Sequence, residues 1–141
     1  LRNILVHGIR PEDVENAPML PLLWGKIAPY FTGGVLLAHN ARFDLGVIGR
    51  ALERCNLPVP DMRYVCTLAK SRRHIERAVF GSHRLATLCG ALDIPLVNHH
   101  NALDDAKACA LLFEYLQDKY GFDDADIRTF AFDDMPVARR R

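Results

Sequence analysis

Val35-Leu36-Leu37-Ala38-His39-Asn40-Ala41-Arg42-Phe43-Asp44 is the stretch that decides the fold class. Its first four residues are apolar and continuous, which suits a strand buried on both faces in a parallel sheet covered by helices. A helical pattern begins almost at once, with Asn40 as the expected N-cap and an end near Cys55. A strand handed directly to an amphipathic helix indicates an α/β layer structure.

Upstream, Pro18 opens an amphipathic stretch from Met19 to Phe31 that contains Trp24, and Gly33-Gly34 closes it. Pro11-Glu12-Asp13 reads as a turn or helix start, and Leu1 to Val6 as a strand end or extended loop. Downstream, Leu57-Pro58-Val59-Pro60-Asp61 breaks the chain. Met62 to Cys66 is a second strand, and Thr67 starts a short helix. Arg72 to Gly81 reads as a basic, partly mobile surface segment. Arg84 to Leu92 is helical, Pro95 to His100 is a loop, and a strong helix runs from Asn101 to Lys119. After Gly121 come Asp123, Asp124, Asp126, Asp133 and Asp134, then Arg139-Arg140-Arg141. Such composition predicts a domain over residues 1–120 and a polar tail or linker over 121–141. Two strands are few for this class, and the chain opens on an apolar run without a Met. The expectation is therefore a fragment whose first strands are missing.

The chain has 141 residues, 50% of them hydrophobic, enough for one domain with a core. A net charge of +1 argues against a surface that is basic throughout, while leaving room for a local groove of Lys and Arg. Cys55, Cys66, Cys89 and Cys109 show no CxxC or zinc-finger spacing. Cys55, Cys89 and Cys109 sit in apolar helical stretches and read as buried thiols of a cytoplasmic protein. No apolar run is long enough to span a membrane, and no signal peptide is recognisable.

One pattern occurs twice. In the helix after Asn40, the expected inward stripe is Ala41, Asp44, Leu45, Ile48, Leu52, Cys55. In the helix after Asn101, the same offsets give Ala102, Asp105, Ala106, Cys109, Phe113, Leu116. Each stripe is apolar except for one Asp in the first turn. A core-facing carboxylate must be neutralised, hydrogen-bonded or bound to a cation. Helix dipoles favour the ionised form at both positions. A hard-cation site for Mg²⁺ or Mn²⁺ satisfies both. The plain alternative is that each Asp caps its own helix, a role that suits Asp104 better. His100 lies just before the second helix and is placed to act as a general base on a metal-bound water. An ordinary loop histidine is the alternative, and it suits His99.

These residues resemble a known family. Ala38-His39-Asn40-Ala41-Arg42-Phe43-Asp44 resembles the second motif of DnaQ-like DEDDh exonucleases, and His100-Asn101-Ala102-Leu103-Asp104-Asp105-Ala106 their third. His7-Gly8-Ile9, followed by Ala17-Pro18, resembles the segment that precedes the second motif. Motif order and the separation of roughly sixty residues also match, and the resemblance covers about Leu1 to Tyr120. It is nearest to the proofreading epsilon-type subunits of bacterial DNA polymerase III and their stand-alone relatives.

The resemblance implies a ribonuclease H-like three-layer fold, a mixed sheet flanked by helices. It implies two-metal (Mg²⁺ or Mn²⁺) 3′→5′ hydrolysis of the terminal phosphodiester, releasing nucleoside 5′-monophosphates from single-stranded DNA or RNA. Asp44 and Asp105 would be metal ligands, and His100 the general base. His7, Gly8 and Ile9 would line the terminal-nucleotide pocket, with Asn40 and Phe43 supporting the site or touching substrate. For Phe43, simple packing is the alternative. A DNA polymerase subunit would be the partner. The Asp-x-Glu of the family's first motif has no match. Glu12, Asp13 and Glu15 follow Pro11 and read as first-turn helix residues. A degenerate module that binds nucleic-acid ends or a polymerase without cleaving is the second reading.

Overall fold

The structure is a computed structural model, and it describes residues 4–97 and 101–132. The chain divides into two compact units. One is built from residues 1–19 and 67–122, the other from 20–66 and 123–141.

The sheet-bearing unit contains α3 (Leu20–Thr32), β1 (Val35–Ala38), α4 (Ala41–Arg54), β2 (Met62–Cys66) and β3 (Arg128–Phe130). The strand order is β1-β2-β3, with β1 parallel and β3 antiparallel to β2. Pairing sets Leu36 beside Tyr64, Ala38 beside Cys66, and Met62 beside Phe130. Successive side chains along a strand alternate faces, so these six residues share one. That face packs with Ala41 and Leu45 of α4 and Phe31 of α3 into a single apolar cluster. Full burial of Met62 or Leu52 contributes about 2 kcal/mol each. The α/β class and both expected strands therefore stand, as a three-strand mixed sheet compatible with a ribonuclease H-like fold. The third strand was unexpected: Arg128–Phe130 lies in the stretch that composition presents as polar tail.

The other unit is helical. It contains α1 (Ile4–His7), α2 (Pro11–Val14), α5 (Thr67–His74), α6 (Arg77–Phe80), α7 (Leu85–Ala91) and α8 (Ala102–Tyr120). Ile75, Leu85, Leu88, Cys89, Ala108, Leu112 and Leu116 form its core. The opening segment differs from expectation, because Ile4–His7 is one helical turn rather than extended chain. The basic stretch also differs. Residues 72–81 fall mostly in α5 and α6, tied by Arg77 Nε to the Gly81 carbonyl at 3.2 Å and by His83 Nε2 to the Ile75 carbonyl at 2.8 Å. No helix among the described residues is long and apolar enough to cross a membrane.

Candidate functional site

In the sheet-bearing unit, Ala41 and Leu45 anchor the first turn of α4 in the core, turning the residues between them outward. Asn40 stands at the N-cap position, as expected, but in the left-handed region (φ 73°) and without a side-chain cap bond. Asn tolerates that conformation better than most residues. Its carbonyl, rather than its amide side chain, accepts from Phe43 N–H at 2.9 Å. Phe43 is 66% exposed, which does not fit simple packing. Asp44 is also exposed, so the expected inward stripe holds for Ala41, Leu45 and Leu52 but not for its aspartate. Enough protein still surrounds the Asp44 carboxyl to desolvate it. Desolvation raises its pKa, and a backbone hydrogen bond at Asp44 opposes this.

In the helical unit, Asn101 caps α8 through its side chain. Its Oδ1 accepts from Leu103 N–H at 3.1 Å and Asp104 N–H at 3.3 Å. Asp105 follows in the first turn, half-buried, its own N–H bonded to the Asn101 carbonyl at 2.9 Å. It faces α7: burial first, and the Asp105 charge second, push the Cys89 thiol pKa up. The buried stripe of α8 is Ala108, Cys109, Leu112 and Leu116. Ala102 and Ala106 are exposed, so the expected stripe was right at Cys109 and Leu116 and wrong at those two.

His7, Gly8 and Ile9 form a tight turn in the helical unit. The Gly8 N–H closes α1 on the Ile4 carbonyl at 2.8 Å, with φ +74° at Gly8, a left-handed conformation that favours glycine. The Ile9 N–H donates to His7 Nδ1 at 3.0 Å, which puts the proton of a neutral His7 ring on Nε2. Ile9 is exposed. His100 lies outside the described residues.

Asp44 thus belongs to one unit, and Asp105 with His7, Gly8 and Ile9 to the other. Among the described residues, no group of three or more His, Cys, Asp or Glu side chains is arranged to hold a metal ion. Mg²⁺ takes near-octahedral oxygen ligation. The described donors alone do not supply that set.

The sequence profile of the exonuclease family, of RNase T type, matches residues 2–113, which takes in both aspartate motifs and the His7 turn. The chain belongs to the exonuclease family. This exonuclease-family chain is DnaQ-like, as its motifs imply. It is 32% identical over 118 residues to the "putative bifunctional exonuclease/endonuclease protein" of Mycobacterium tuberculosis, covering 84% of this chain and 18% of that one. It is 31% identical over 112 residues to a PolC-type DNA polymerase III of Caldanaerobacter subterraneus, covering 79% and 8%. With its Bacillus subtilis counterpart it shares 34% over 122 residues, covering 82% and 8%. The chain therefore spans less than a fifth of the length of these relatives. No solved structure gives a significant match.

Sequence reasoning missed two buried charged groups of this exonuclease-family domain, Lys70 and Asp126. Lys70 on α5 is only 3% exposed, with its ammonium 5.9 Å from the centre of the Phe122 ring. Thr67 and Ser71 share its buried surroundings: the Thr67 hydroxyl meets Cys109 Sγ at 3.5 Å, and the Ser71 hydroxyl donates to the Thr67 carbonyl at 2.7 Å. The Thr67-x-x-Lys70-Ser71 spacing marks one helix face, but polar residues there read as solvent-facing.

Proposed function

We propose that this domain is a metal-dependent 3′→5′ exonuclease, removing nucleoside 5′-monophosphates from the 3′ end of single-stranded DNA or RNA. The observation that carries the reading is one family match spanning both motifs, each with its aspartate in the first turn of a helix. Asp44 and Asp105 are assigned as carboxylates of a Mg²⁺ or Mn²⁺ site and His100 as the general base, on motif match alone. His7, Gly8, Ile9, Asn40 and Phe43 are assigned to the substrate. The exposed Phe43 ring and the exposed, hydrogen-bonded His7–Ile9 turn suit that assignment, since aromatic faces stack on bases. Relatives named PolC-type DNA polymerase III support a proofreading setting beside a polymerase.

The test is degradation of 5′-labelled single-stranded DNA and RNA with Mg²⁺ or Mn²⁺, using Asp105→Ala to exclude contaminants. A ladder shortening from the 3′ end, absent in the variant, is the expected result. Intact label after incubation with a folded chain would sink the catalytic reading and leave a non-cleaving module that binds ends. Shortening from the 5′ end would overturn the direction alone.

A further inference from the structure

In the helical unit, α5 ends on Arg72, Arg73 and His74. Arg72 and Arg73 are exposed, and so is Arg77 on α6. Residues 72–84 carry four arginines and one glutamate. The His74 imidazole stacks on Tyr120 at the far end of α8, with centroids 4.8 Å apart and planes 14° from parallel. That contact sets the basic end of α5 beside the last turn of α8. There the Lys119 ammonium lies 5.7 Å from the Tyr120 ring centre and 5.4 Å from that of Tyr115. It donates to the Tyr115 hydroxyl at 2.9 Å. That hydrogen bond raises the pKa of the Lys119 ammonium, which further favours its cationic form. Glu114 and Asp118 occupy the neighbouring row of α8, so the cationic strip has an acidic border on one side.

A solvated run of charge is the bland explanation of exposed arginines. Tyr115 and Tyr120 are half-buried because they pack on the core of this unit, and the His74 stack joins their outer edge to the exposed arginines. Guanidinium and ammonium groups meet phosphates, and ring faces meet bases; this is the composition of a single-strand contact. Its position adds a length scale. Asp105 and Tyr120 lie on one uninterrupted helix. A rise of ~1.5 Å per residue separates them by about 22 Å along its axis. At ~3.4 Å per stacked nucleotide, that is about six nucleotides.

We propose that Arg72, Arg73, His74, Arg77, Lys119 and Tyr120 form a second contact for a single-stranded nucleic acid, upstream of the 3′ end by about six nucleotides. The inference rests on the nucleic-acid substrate of the preceding reading. Its role is retention: after each terminal nucleotide leaves, the strand stays held at this surface.

The test is fluorescence anisotropy with single strands of about three and about twelve nucleotides, across a salt series, with EDTA present so that nothing is cleaved. The wild type, the double variant Arg72→Gln/Lys119→Gln and the control Arg72→Lys are compared, with melting curves to verify folding. The wild type should bind the long strand at least ~10-fold more tightly than the short one, and the double variant should lose that advantage while binding the short strand unchanged. The slope of log affinity against log salt should fall by about 1.4, the value for two phosphate contacts on a single strand. Arg72→Lys should keep both. Equal affinity of the wild type for both lengths, or an unchanged slope in the double variant, overturns the surface. In a parallel assay with Mg²⁺ and no EDTA, trimming of short and long strands at equal kcat/KM would overturn it too, with the nuclease reading intact. Length-dependent binding by a chain that never cleaves keeps the surface and sinks the nuclease reading.

Discussion

Asp44 shows how one residue can carry opposing demands. Its carboxyl is partly desolvated at the surface, so its folded-state pKa lies above the ordinary 3.8. A raised carboxylate pKa means that folding favours the protonated form. The resulting stability is fully present below the unfolded value and is lost as pH rises through the folded one. At neutral pH, without divalent cations, Asp44 is therefore a burden on the fold. Asp44→Asn should raise the melting temperature at pH 7 in EDTA by a small margin, and the gain should vanish as pH drops below about 4. A melting temperature lower than wild type at pH 7 would show that the ionised carboxylate has a stabilising partner in the fold.

At the scale of elements, α4 is positioned by small residues as much as by large ones. A Cβ placed on Gly49 would run into the Phe132 ring, so the helix touches that ring only because residue 49 has no side chain. Gly49→Ala gains up to ~1 kcal/mol of helix propensity but forces an overlap costing roughly 1–3 kcal/mol. The variant should be less stable than wild type in urea. In a Phe132→Ala background the same change should turn neutral or stabilising; a loss of equal size in both backgrounds would mean the ring is not the obstacle. Much of this level was legible in the sequence. The Val35–Ala38 strand, the helix start at Asn101 and the Pro-rich break before Met62 are where the sequence puts them, but among the described residues β1 lies at the sheet edge, with Val35 exposed rather than buried on both faces. The stripe of α8 was less legible. The first turn of that helix, from Ala102 to Ala106, contributes no buried residue and even Leu103 is exposed there, whereas Ala108, Leu112 and Leu116 further along are buried. Asn40 likewise has the right identity at the right place, yet its role comes from a backbone conformation that no residue pattern specifies.

For the molecule as a whole, the sequence conveyed the family through two aspartate motifs, and the family match confirms it. The architecture around them was harder to foresee. β3 is three residues long with aspartates on both sides in sequence; Thr129 and Phe130 favour a strand, but so short a run is not distinctive, and its pairing with β2 is what makes it one. Metal binding, if Asp105 takes part, must appear as stability of the folded chain. Mn²⁺ at ten times its Kd would add about 1.4 kcal/mol, a rise in melting temperature of roughly 4 °C. Asp105→Ala should show no such rise. The same rise in both proteins would remove Asp105 from the cation's ligands.

The antiparallel partner of Met62 is Phe130, and the entire run from Thr67 to Phe122 lies between them. As the chain leaves a ribosome, the sheet must wait for an outer strand that emerges after α8 is complete. Closing so long a loop is entropically costly and slow. The helices of the second unit therefore have time to assemble first, and β2 spends that interval with one edge open to whatever strand it meets.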